Sequence, residues 1–209
     1  MKIIGLTGGI ASGKNFIAEV FKKNGAIIFD ADAEVHEILR CDEVAISEIA
    51  EHFPKSVVDC KIDRKILGKI VFADIEKLQI LEKIIHDRVR KKYAEFLKDA
   101  QKKRKKLAVL NIPLLLETQG YECDKVIAII TPRIAQKYRF LSRYKKSFPK
   151  NFSAEISELE EKFQQIKSKQ ISNSERKNQA DFVIYNGLSK GCTIRQIAYI
   201  LEKVSLIPN

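Results

Sequence analysis

The sequence places two glycines and a lysine at a spacing that suits the binding of a nucleotide's phosphates. Gly8, Gly13 and Lys14 fit the pattern G-x-x-x-x-G-K of a phosphate-binding loop. Glycines allow backbone N–H groups to turn towards a phosphate at the positive end of the following helix. The ammonium group of Lys14 can then reach the β- and γ-phosphates. The spacing therefore predicts phosphate binding; the alternative is a glycine-rich turn that only joins a strand to a helix.

We predict that this loop and the start of the next helix bind ATP together with Mg²⁺. The residues expected to contact ATP follow one another without a gap: Gly8, Gly9, Ile10, Ala11, Ser12, Gly13, Lys14, Asn15 and Phe16. Asn15 stands where such loops usually carry Ser or Thr, whose hydroxyl group ligates Mg²⁺. An amide oxygen also suits Mg²⁺, although it sits on a longer side chain. We therefore expect Asn15 to ligate the metal, with weaker retention of the metal and intact chemistry.

Two carboxylates follow the second apolar run of the chain, residues 26–29. If this run is a strand of a parallel sheet, Asp30 and Asp32 follow its carboxyl end, where ligands bind in such sheets. A carboxylate there can accept the proton of a substrate hydroxyl and orient it towards the γ-phosphate. We predict a catalytic role for Asp32 and a structural role for Asp30. The alternative for either residue is a cap on the helix that begins near Ala33.

Five short apolar runs alternate with segments of helical periodicity. These runs and segments are the strands and helices expected to position the candidate site residues. The runs predicted to be strands are residues 3–6, 26–29, 107–112, 126–130 and 182–185. This alternation predicts an α/β fold with a doubly wound five-stranded parallel sheet, and we expect a helical cap and a lid beside it. Residues 63–72 read as a helix. Residues 75–105 read as a pair of helices that can either break near His86 or continue through it. A last helix is expected from about residue 193 to 204.

Length and charge limit the possible classes of protein. A chain of 209 residues suits one domain, 1–209, in which we place the cap at about 60–105 and the lid at about 144–179. The formal net charge of +11 attracts nucleic acid, acidic membrane or phosphorylated metabolites, and the charge alone does not choose among them. Four scattered cysteines indicate reduced thiols, and there is no signal peptide or membrane-spanning run. We therefore expect a cytoplasmic protein.

Several motifs together resemble the dephospho-CoA kinase family. The opening GLTGGIASGKN, and FDAD followed by His36, are similar to the start of these P-loop kinases. Further matches follow in order along nearly the whole chain: IDRKILGKIVF at 62–72, LEKIIH ending at His86, Pro113 to Leu115 with Glu117, Thr131 and Pro132 followed by Arg139 and Arg143, Gln170 with Arg176, and Ala180 with Asp181. The family phosphorylates the ribose 3′-hydroxyl of dephospho-CoA. The resemblance implies that the parallel sheet is of P-loop kinase type, with a helical substrate cap and a lid.

The resemblance implies roles for residues outside the phosphate-binding loop. It implies an acceptor site that includes Asp32, His86, Pro113, Leu114, Leu115 and Glu117, catalytic groups Lys14, Asp32, Arg139 and Arg143, and contact of Asn186 with the adenine. Alternative interpretations remain for these positions. Leu114 and Leu115 can close the core at a bend, His86 can pack on its helix, and the two arginines can be solvated or paired with glutamates.

The stretch from residue 144 to 170 is longer than the resemblance implies. Residues 145–152 favour an exposed loop, and an acidic helix is expected over 155–161. Basic residues beside Phe148 and Phe152 could alternatively bind single-stranded nucleic acid. The family often has an arginine shortly before Gln170, whereas this chain has Lys167 and Lys169.

The predicted function is ATP-dependent phosphorylation of dephospho-CoA to coenzyme A and ADP, the last step of coenzyme A biosynthesis. The first alternative is a P-loop kinase for another small metabolite or a nucleoside monophosphate, because only the acceptor pocket determines which substrate is phosphorylated. The second is a non-catalytic nucleotide- or RNA-binding module. No guanine-reading N-K-x-D or T-K-x-D run is present. We expect dephospho-CoA as the partner, neither nucleic acid nor membrane, and favour a monomer.

Overall fold

The computed structural model describes residues 1–58, 61–117, 120–145, 152–187 and 189–205, which divide into two compact units. The first unit comprises Met1–Phe29 and Arg104–Asn209, and the second comprises Asp30–Lys103. None of the helices within these described ranges is long and apolar enough to cross a membrane.

Strands and α-helices make up most of the described chain. The strands are β1 Lys2–Gly8, β2 Ile27–Asp30, β3 Val57–Val58, β4 Lys61–Ile62, β5 Leu107–Asn111, β6 Lys125–Ile130 and β7 Phe182–Tyr185. The α-helices are α1 Lys14–Lys23, α2 Ala31–Cys41, α3 Glu43–His52, α4 Arg64–Phe72, α5 Ile75–Lys102, α6 Arg133–Lys145, α7 Phe152–Ser168, α8 Asn173–Asn178 and α9 Lys190–Ser205.

Five strands form one sheet in the order β2-β5-β1-β6-β7. Strand β1 pairs in parallel with both β5 and β6, and β6 pairs in parallel with β7. Each of the five apolar runs is therefore a strand, and the predicted α/β sheet is confirmed. Parallel strands that are covered on both faces read as continuous apolar runs, which explains why the sequence was informative about them.

The core of the first unit holds the central strand in place. Ile4 and Leu6 of β1 are fully buried, and they belong to one apolar cluster with Phe21 of α1 and Ile197 of α9. Gly5 lies between them, and a side chain at this position would overlap Leu115. Packing on both faces thus holds strand β1 in place, and this determines where the phosphate-binding loop begins.

The second unit is helical, and aspartates begin its helices. Asp30, Asp63 and Asp74 each accept hydrogen bonds from backbone N–H groups in the first turn of α2, α4 and α5. The structural role predicted for Asp30 is confirmed. Helix α5 continues from Ile75 to Lys102, so the alternative without a break near His86 is confirmed. Helix α3 and the antiparallel pair β3–β4 were not predicted.

The region predicted to be the lid contains α7, whose start at residue 152 is earlier than the expected 155. Its residues Leu159 and Phe163 pack with Phe140 of α6 and with Ala11 of the phosphate-binding loop. The loop predicted for residues 145–152 falls mainly on 146–151, outside the described residues, and so does Phe148.

Candidate active site

The phosphate-binding loop joins β1 to α1, as the sequence predicted. Ala11 and Gly13 have positive φ angles of 53° and 93°, and the Ser12 N–H donates to the Gly9 carbonyl oxygen at 3.1 Å. Residues with left-handed backbone angles in a tight turn direct consecutive N–H groups into one concavity, which suits an anion. Gly13 is required there, since a side chain would collide with the amide nitrogen of Asn186.

Lys14 is the first residue of α1 and lies across the loop. Its Nζ atom donates to the Gly8 carbonyl oxygen at 2.8 Å, and the residue is half-buried. The flexible side chain of Lys14 allows its ammonium group to move. The structure thus places the Lys14 ammonium beside the phosphate-binding loop, and its contact with phosphate stays a prediction.

Three side chains converge on the carbonyl oxygen of Ser12. It accepts hydrogen bonds from Asn186 Nδ2 at 2.7 Å, Thr131 Oγ1 at 3.0 Å and Arg139 at 3.2 Å. The Ser12 hydroxyl is buried and has no hydrogen-bond partner among the described residues. Groups that follow the carboxyl ends of β6 and β7, together with Arg139 of α6, thus fix the loop through the Ser12 carbonyl oxygen.

The side chain of Asn186, expected to contact adenine, is used inside the protein. Besides its hydrogen bond to Ser12, its Oδ1 atom accepts from Thr193 at 3.2 Å, and the residue is 7% exposed. These contacts favour support of the loop as the role of this side chain. Contact with the adenine stays a prediction.

Arg139 lies at the loop, whereas Arg143 is exposed one turn further along α6. The Arg139 guanidinium donates to the carbonyl oxygens of Ser12 and Asn186, at 3.2 and 3.1 Å. Within the described ranges, no carboxylate pairs with Arg139, so its charge is not neutralised. An arginine held in this manner beside a phosphate-binding loop is suited to a transferring phosphoryl group.

Two glutamines hold the backbone of Ile10, and we call them the Ile10 clamp. Gln136 of α6 donates to the Ile10 carbonyl oxygen at 2.9 Å, and Gln170 accepts from its N–H at 2.9 Å. Gln136 was not predicted from the sequence. A polar residue three positions before Arg139, on the same helical face, was the available signal. The clamp connects both ends of the α6–α7 region to the loop.

Arg176 is the largest fully buried side chain among the described residues, with 2% exposure. It donates to Thr7 Oγ1 at 3.3 Å and to the Ile171 carbonyl oxygen at 3.2 Å, and it lies 3.6 Å from Glu117. Burial lowers the pKa of the Arg176 guanidinium, and the charge of Glu117 opposes that shift. Glu117, expected to bind the acceptor, is thus engaged in an ion pair with Arg176.

A cavity of about 620 Å³ adjoins Gly9 and the Ile10 clamp. Arg133, Lys167 and Arg176 contribute positive charge to its lining, and Glu175 contributes one negative charge. Burial, followed by the charge of Arg133, lowers the pKa of Lys167. Lys167 is therefore the lysine before Gln170 that faces the cavity.

The other residues of the first unit that the sequence predicted for the site lie in different environments. Leu115 is 6% exposed and lies against Gly5 in the core, whereas Leu114 has a φ of 53° and is 36% exposed. Pro113 is half-buried between β5 and this turn, and Phe16 packs against the core of the first unit. The core interpretation is favoured for Leu115.

Asp32 and His86 belong to the second unit. Asp32 lies in the first turn of α2 and is exposed, and His86 is exposed in the middle of α5. Both side chains are therefore accessible to a ligand of that unit.

The oxygen donors near Lys14 fit a metal that is held mainly by a nucleotide. The Asn15 side chain is exposed, and its Oδ1 atom accepts from Asn111 Nδ2 at 3.1 Å. Over the part of the chain that the structure describes, no group of three His, Cys, Asp or Glu residues could hold a metal. Mg²⁺ commonly keeps several waters and binds through few protein groups plus substrate phosphates, so one amide oxygen fits it.

The chain is similar to dephospho-CoA kinases along its length. The sequence pattern of the family described as dephospho-CoA kinase matches residues 2–190. The dephospho-CoA kinase of Bartonella quintana is 38% identical over 205 residues, which are 98% of each chain. A crystal structure from Thermus thermophilus has a TM-score of 0.77 and 26% identity, covering 99% of this chain and 98% of that one. The dephospho-CoA kinase from Campylobacter jejuni has a TM-score of 0.67 and 28% identity, with 98% of each chain covered.

Proposed function

Because this chain belongs to the dephospho-CoA kinase family, we propose that it transfers the γ-phosphate of ATP to the ribose 3′-hydroxyl of dephospho-CoA. The products are coenzyme A and ADP. The observation that carries this conclusion is the family match over residues 2–190, which contains the intact phosphate-binding loop. The chain is thus an ATP-dependent phosphotransferase of coenzyme A biosynthesis.

The phosphate-binding loop holds the triphosphate of ATP. The β-phosphate faces backbone N–H groups of the loop other than those of Ile10 and Ser12, which donate to Gln170 and to the Gly9 carbonyl oxygen. The ammonium group of Lys14 leaves the Gly8 carbonyl oxygen to reach the γ-phosphate. The support of this assignment is the pair of left-handed residues Ala11 and Gly13 at the start of α1. Because the Ile10 clamp and the hydrogen bonds to Ser12 already fix the loop, little reorganisation is needed when ATP binds.

Asp32 accepts the proton of the acceptor hydroxyl and orients the oxygen for attack on the γ-phosphate. Its support is chemical, because Asp32 is an exposed carboxylate just beyond the carboxyl end of a parallel strand. His86, Pro113, Leu114 and Glu117 complete the acceptor site that the family implies, and Leu115 supports it from the core.

Arg139 and Arg143 neutralise the charge that develops on the transferred phosphoryl group. The support for Arg139 is its guanidinium beside Ser12, paired only with carbonyl oxygens among the described residues. Arg143 follows one turn later on the same face of α6 and requires movement of that helix or of the nucleotide to contribute.

The metal of the reaction is Mg²⁺, and the Asn15 amide oxygen is the protein group that would hold it. When bound, Mg²⁺ supplies positive charge to the β- and γ-phosphates. Asn111 orients the Asn15 amide through its hydrogen bond. The Asn15 side chain is longer than the serine or threonine usual at this position and places its oxygen differently, so it holds the metal more weakly.

The membership of the dephospho-CoA kinase family also bears on the domain organisation of the chain. We propose one kinase domain with a substrate cap at about residues 60–105 and a lid at about 144–179. The lid assignment is supported by the packing of α7 on Ala11 of the phosphate-binding loop. A cytoplasmic, monomeric enzyme is the arrangement we favour.

An acceptor panel tests the proposed function. The purified chain is incubated with ATP and Mg²⁺ and with dephospho-CoA, a nucleoside monophosphate or a hexose, and ADP release is measured for each. We expect ADP release that depends on dephospho-CoA and exceeds the rate with the other acceptors at least 100-fold. Faster turnover of another acceptor would identify a different small-molecule kinase. RNA binding that survives Lys14→Ala, without turnover of any acceptor, would point to a binding module.

A further inference from the structure

A basic pocket of about 330 Å³ lies within the second unit, and neither the phosphate-binding loop nor the residues assigned above account for it. Its polar lining consists of His36, Glu37 and Arg40 from α2, Lys61 from β4, and Arg64 from the start of α4. We call this the α2–α4 pocket. Three of these five residues are permanent cations at neutral pH, and one is an anion.

The charges of the α2–α4 pocket are only partly compensated. Glu37 is paired with Arg40 at 2.6 Å. Arg64 instead directs its NH2 group at the Nε2 atom of His36, at 2.7 Å. A guanidinium can only donate, so His36 accepts this hydrogen bond in its neutral form. Among the residues that the structure describes, no carboxylate pairs with Arg64 or Lys61, and the pocket therefore keeps positive charge for an external anion.

The position of the α2–α4 pocket relative to Asp32 indicates which anion it receives. Asp32 and His36 are four residues apart on α2, so they share one face and are separated by about 6 Å along the helix axis. In a nucleotide, five covalent bonds join the ribose 3′-oxygen to the phosphorus on the 5′-oxygen, a span of at most about 6 Å for ordinary bond lengths. One ribose can therefore present its 3′-hydroxyl to Asp32 and its 5′-phosphates to the pocket.

We propose that Arg64, oriented by His36, binds the diphosphate of dephospho-CoA while Asp32 engages the 3′-hydroxyl of the same ribose. Lys61 adds charge to the same pocket. This inference rests on the proposed function and extends it, because it assigns the group that aligns the acceptor ribose. Arg64 contacts substrate in this account, and His36 is a positioning residue.

Arg64→Gln tests the inference through steady-state kinetics with ATP and dephospho-CoA varied separately. The loss of a charge-assisted contact to phosphate is expected to raise KM for dephospho-CoA about 10- to 100-fold. The KM for ATP is expected to change less than about 2-fold and kcat less than about 5-fold. His36→Ala, which frees the guanidinium without removing it, is expected to raise the same KM by a smaller factor. Calorimetric titration of dephospho-CoA should show the same order of affinities.

Lys65→Gln is the matched control, because it removes one positive charge from the neighbouring exposed residue, outside the pocket lining. Both substitutions leave the Asp63 cap in place, so the thermal midpoint of each variant reports intact folding. Of this matched pair, Arg64→Gln should raise KM for dephospho-CoA and Lys65→Gln should leave it unchanged.

Three results would overturn the inference. If the unaltered chain phosphorylates dephospho-CoA and Arg64→Gln leaves its KM within 2-fold, the inference fails and the proposed function stands. If the KM for ATP rises instead, the pocket holds the nucleotide and not the acceptor. If the unaltered chain does not phosphorylate dephospho-CoA at all, the proposed function fails and this inference fails with it.

Discussion

The Ser12 carbonyl oxygen accepts three hydrogen bonds, and this single atom shows how the loop is prepared for its ligand. Its donors come from Thr131, Arg139 and Asn186, which lie more than a hundred residues away in the sequence. Each donor fixes the peptide between Ser12 and Gly13, whose N–H group must face the phosphate. Dipoles that are oriented before the ligand arrives stabilise developing charge without reorganisation.

At Asp32 the proposed mechanism makes a direct prediction for Asp32→Asn. An amide cannot accept the proton of the acceptor hydroxyl, so kcat should fall on the order of 10² or more, with little change in the dissociation constant of ATP. Glu34→Gln is the matched control, since it removes a charge from the same first turn of α2. Near-normal turnover of the Asp32 variant, measured by coupled ADP release, would remove this carboxylate from the mechanism.

The amide of Asn15 leads to a prediction about the metal. Asn15→Ser introduces the hydroxyl ligand that phosphate-binding loops usually carry, and it should lower the Mg²⁺ concentration for half-maximal turnover by roughly 10-fold. Asn178→Ser, at an exposed position of α8, serves as the control. An unchanged Mg²⁺ dependence would show that position 15 does not contribute to holding the metal.

Among the elements, those that the sequence predicts well are the ones whose stabilisation is local. The five parallel strands are runs of apolar residues, and the aspartates that begin α2 and α4 are recognisable helix caps. The sequence leaves open whether a helix breaks at His86, and α5 continues there because a polar residue on an exposed face does not interrupt a helix. The two-residue strands β3 and β4 are too short to produce a periodic pattern.

The contacts that support the candidate site are the part that the sequence does not reveal. Gln136 reaches Ile10, and Arg176 reaches Thr7, across separations of 126 and 169 residues. Such pairs depend on how the helices pack on the sheet. The position of Gln136 on the Arg139 face of α6 is a local signal, but it does not identify the partner of Gln136. Glu117 was likewise expected at the acceptor, and only the fold shows its proximity to buried Arg176.

The contacts of Asp181 with the start of β6 lead to a prediction about the free energy of unfolding. Asp181 accepts hydrogen bonds from Lys125 Nζ at 2.6 Å and from the Val126 N–H at 2.8 Å. Burial opposes ionisation of Asp181, but these hydrogen bonds outweigh it and lower its pKa. Because the carboxyl is about a third exposed, Asp181→Asn should reduce the free energy of unfolding by only about 1 kcal/mol at pH 7.

This contribution has a defined dependence on pH. A lowered folded-state pKa means that the stabilisation is complete above the unfolded value, about 3.9, and is lost as the pH falls through the folded value. The difference between wild type and Asp181→Asn in urea unfolding should therefore narrow below about pH 4. Asp99→Asn on α5, whose carboxylate pairs weakly with Lys102 at 3.9 Å, should stay within about 0.5 kcal/mol throughout. An Asp181 difference that is the same at pH 7 and pH 3 would contradict this account.

For the whole molecule, the two units divide the tasks of the proposed reaction. The first unit contains the phosphate-binding loop, the Ile10 clamp and Arg139, and the second contains Asp32 and the α2–α4 pocket. Both substrates are polyanions, which suits a formal net charge of +11. The central claim is that one nucleotide donates its γ-phosphate to one defined hydroxyl of the other.

The position of the transferred phosphate tests that claim most directly. Phosphorus NMR of a reaction with ATP, Mg²⁺ and dephospho-CoA follows ADP and every new phosphate ester together. The account predicts one new monoester at the ribose 3′-oxygen for each ADP formed, and neither product with Lys14→Ala. Formation of ADP with free phosphate alone, or a phosphate on any other oxygen of dephospho-CoA, would contradict it.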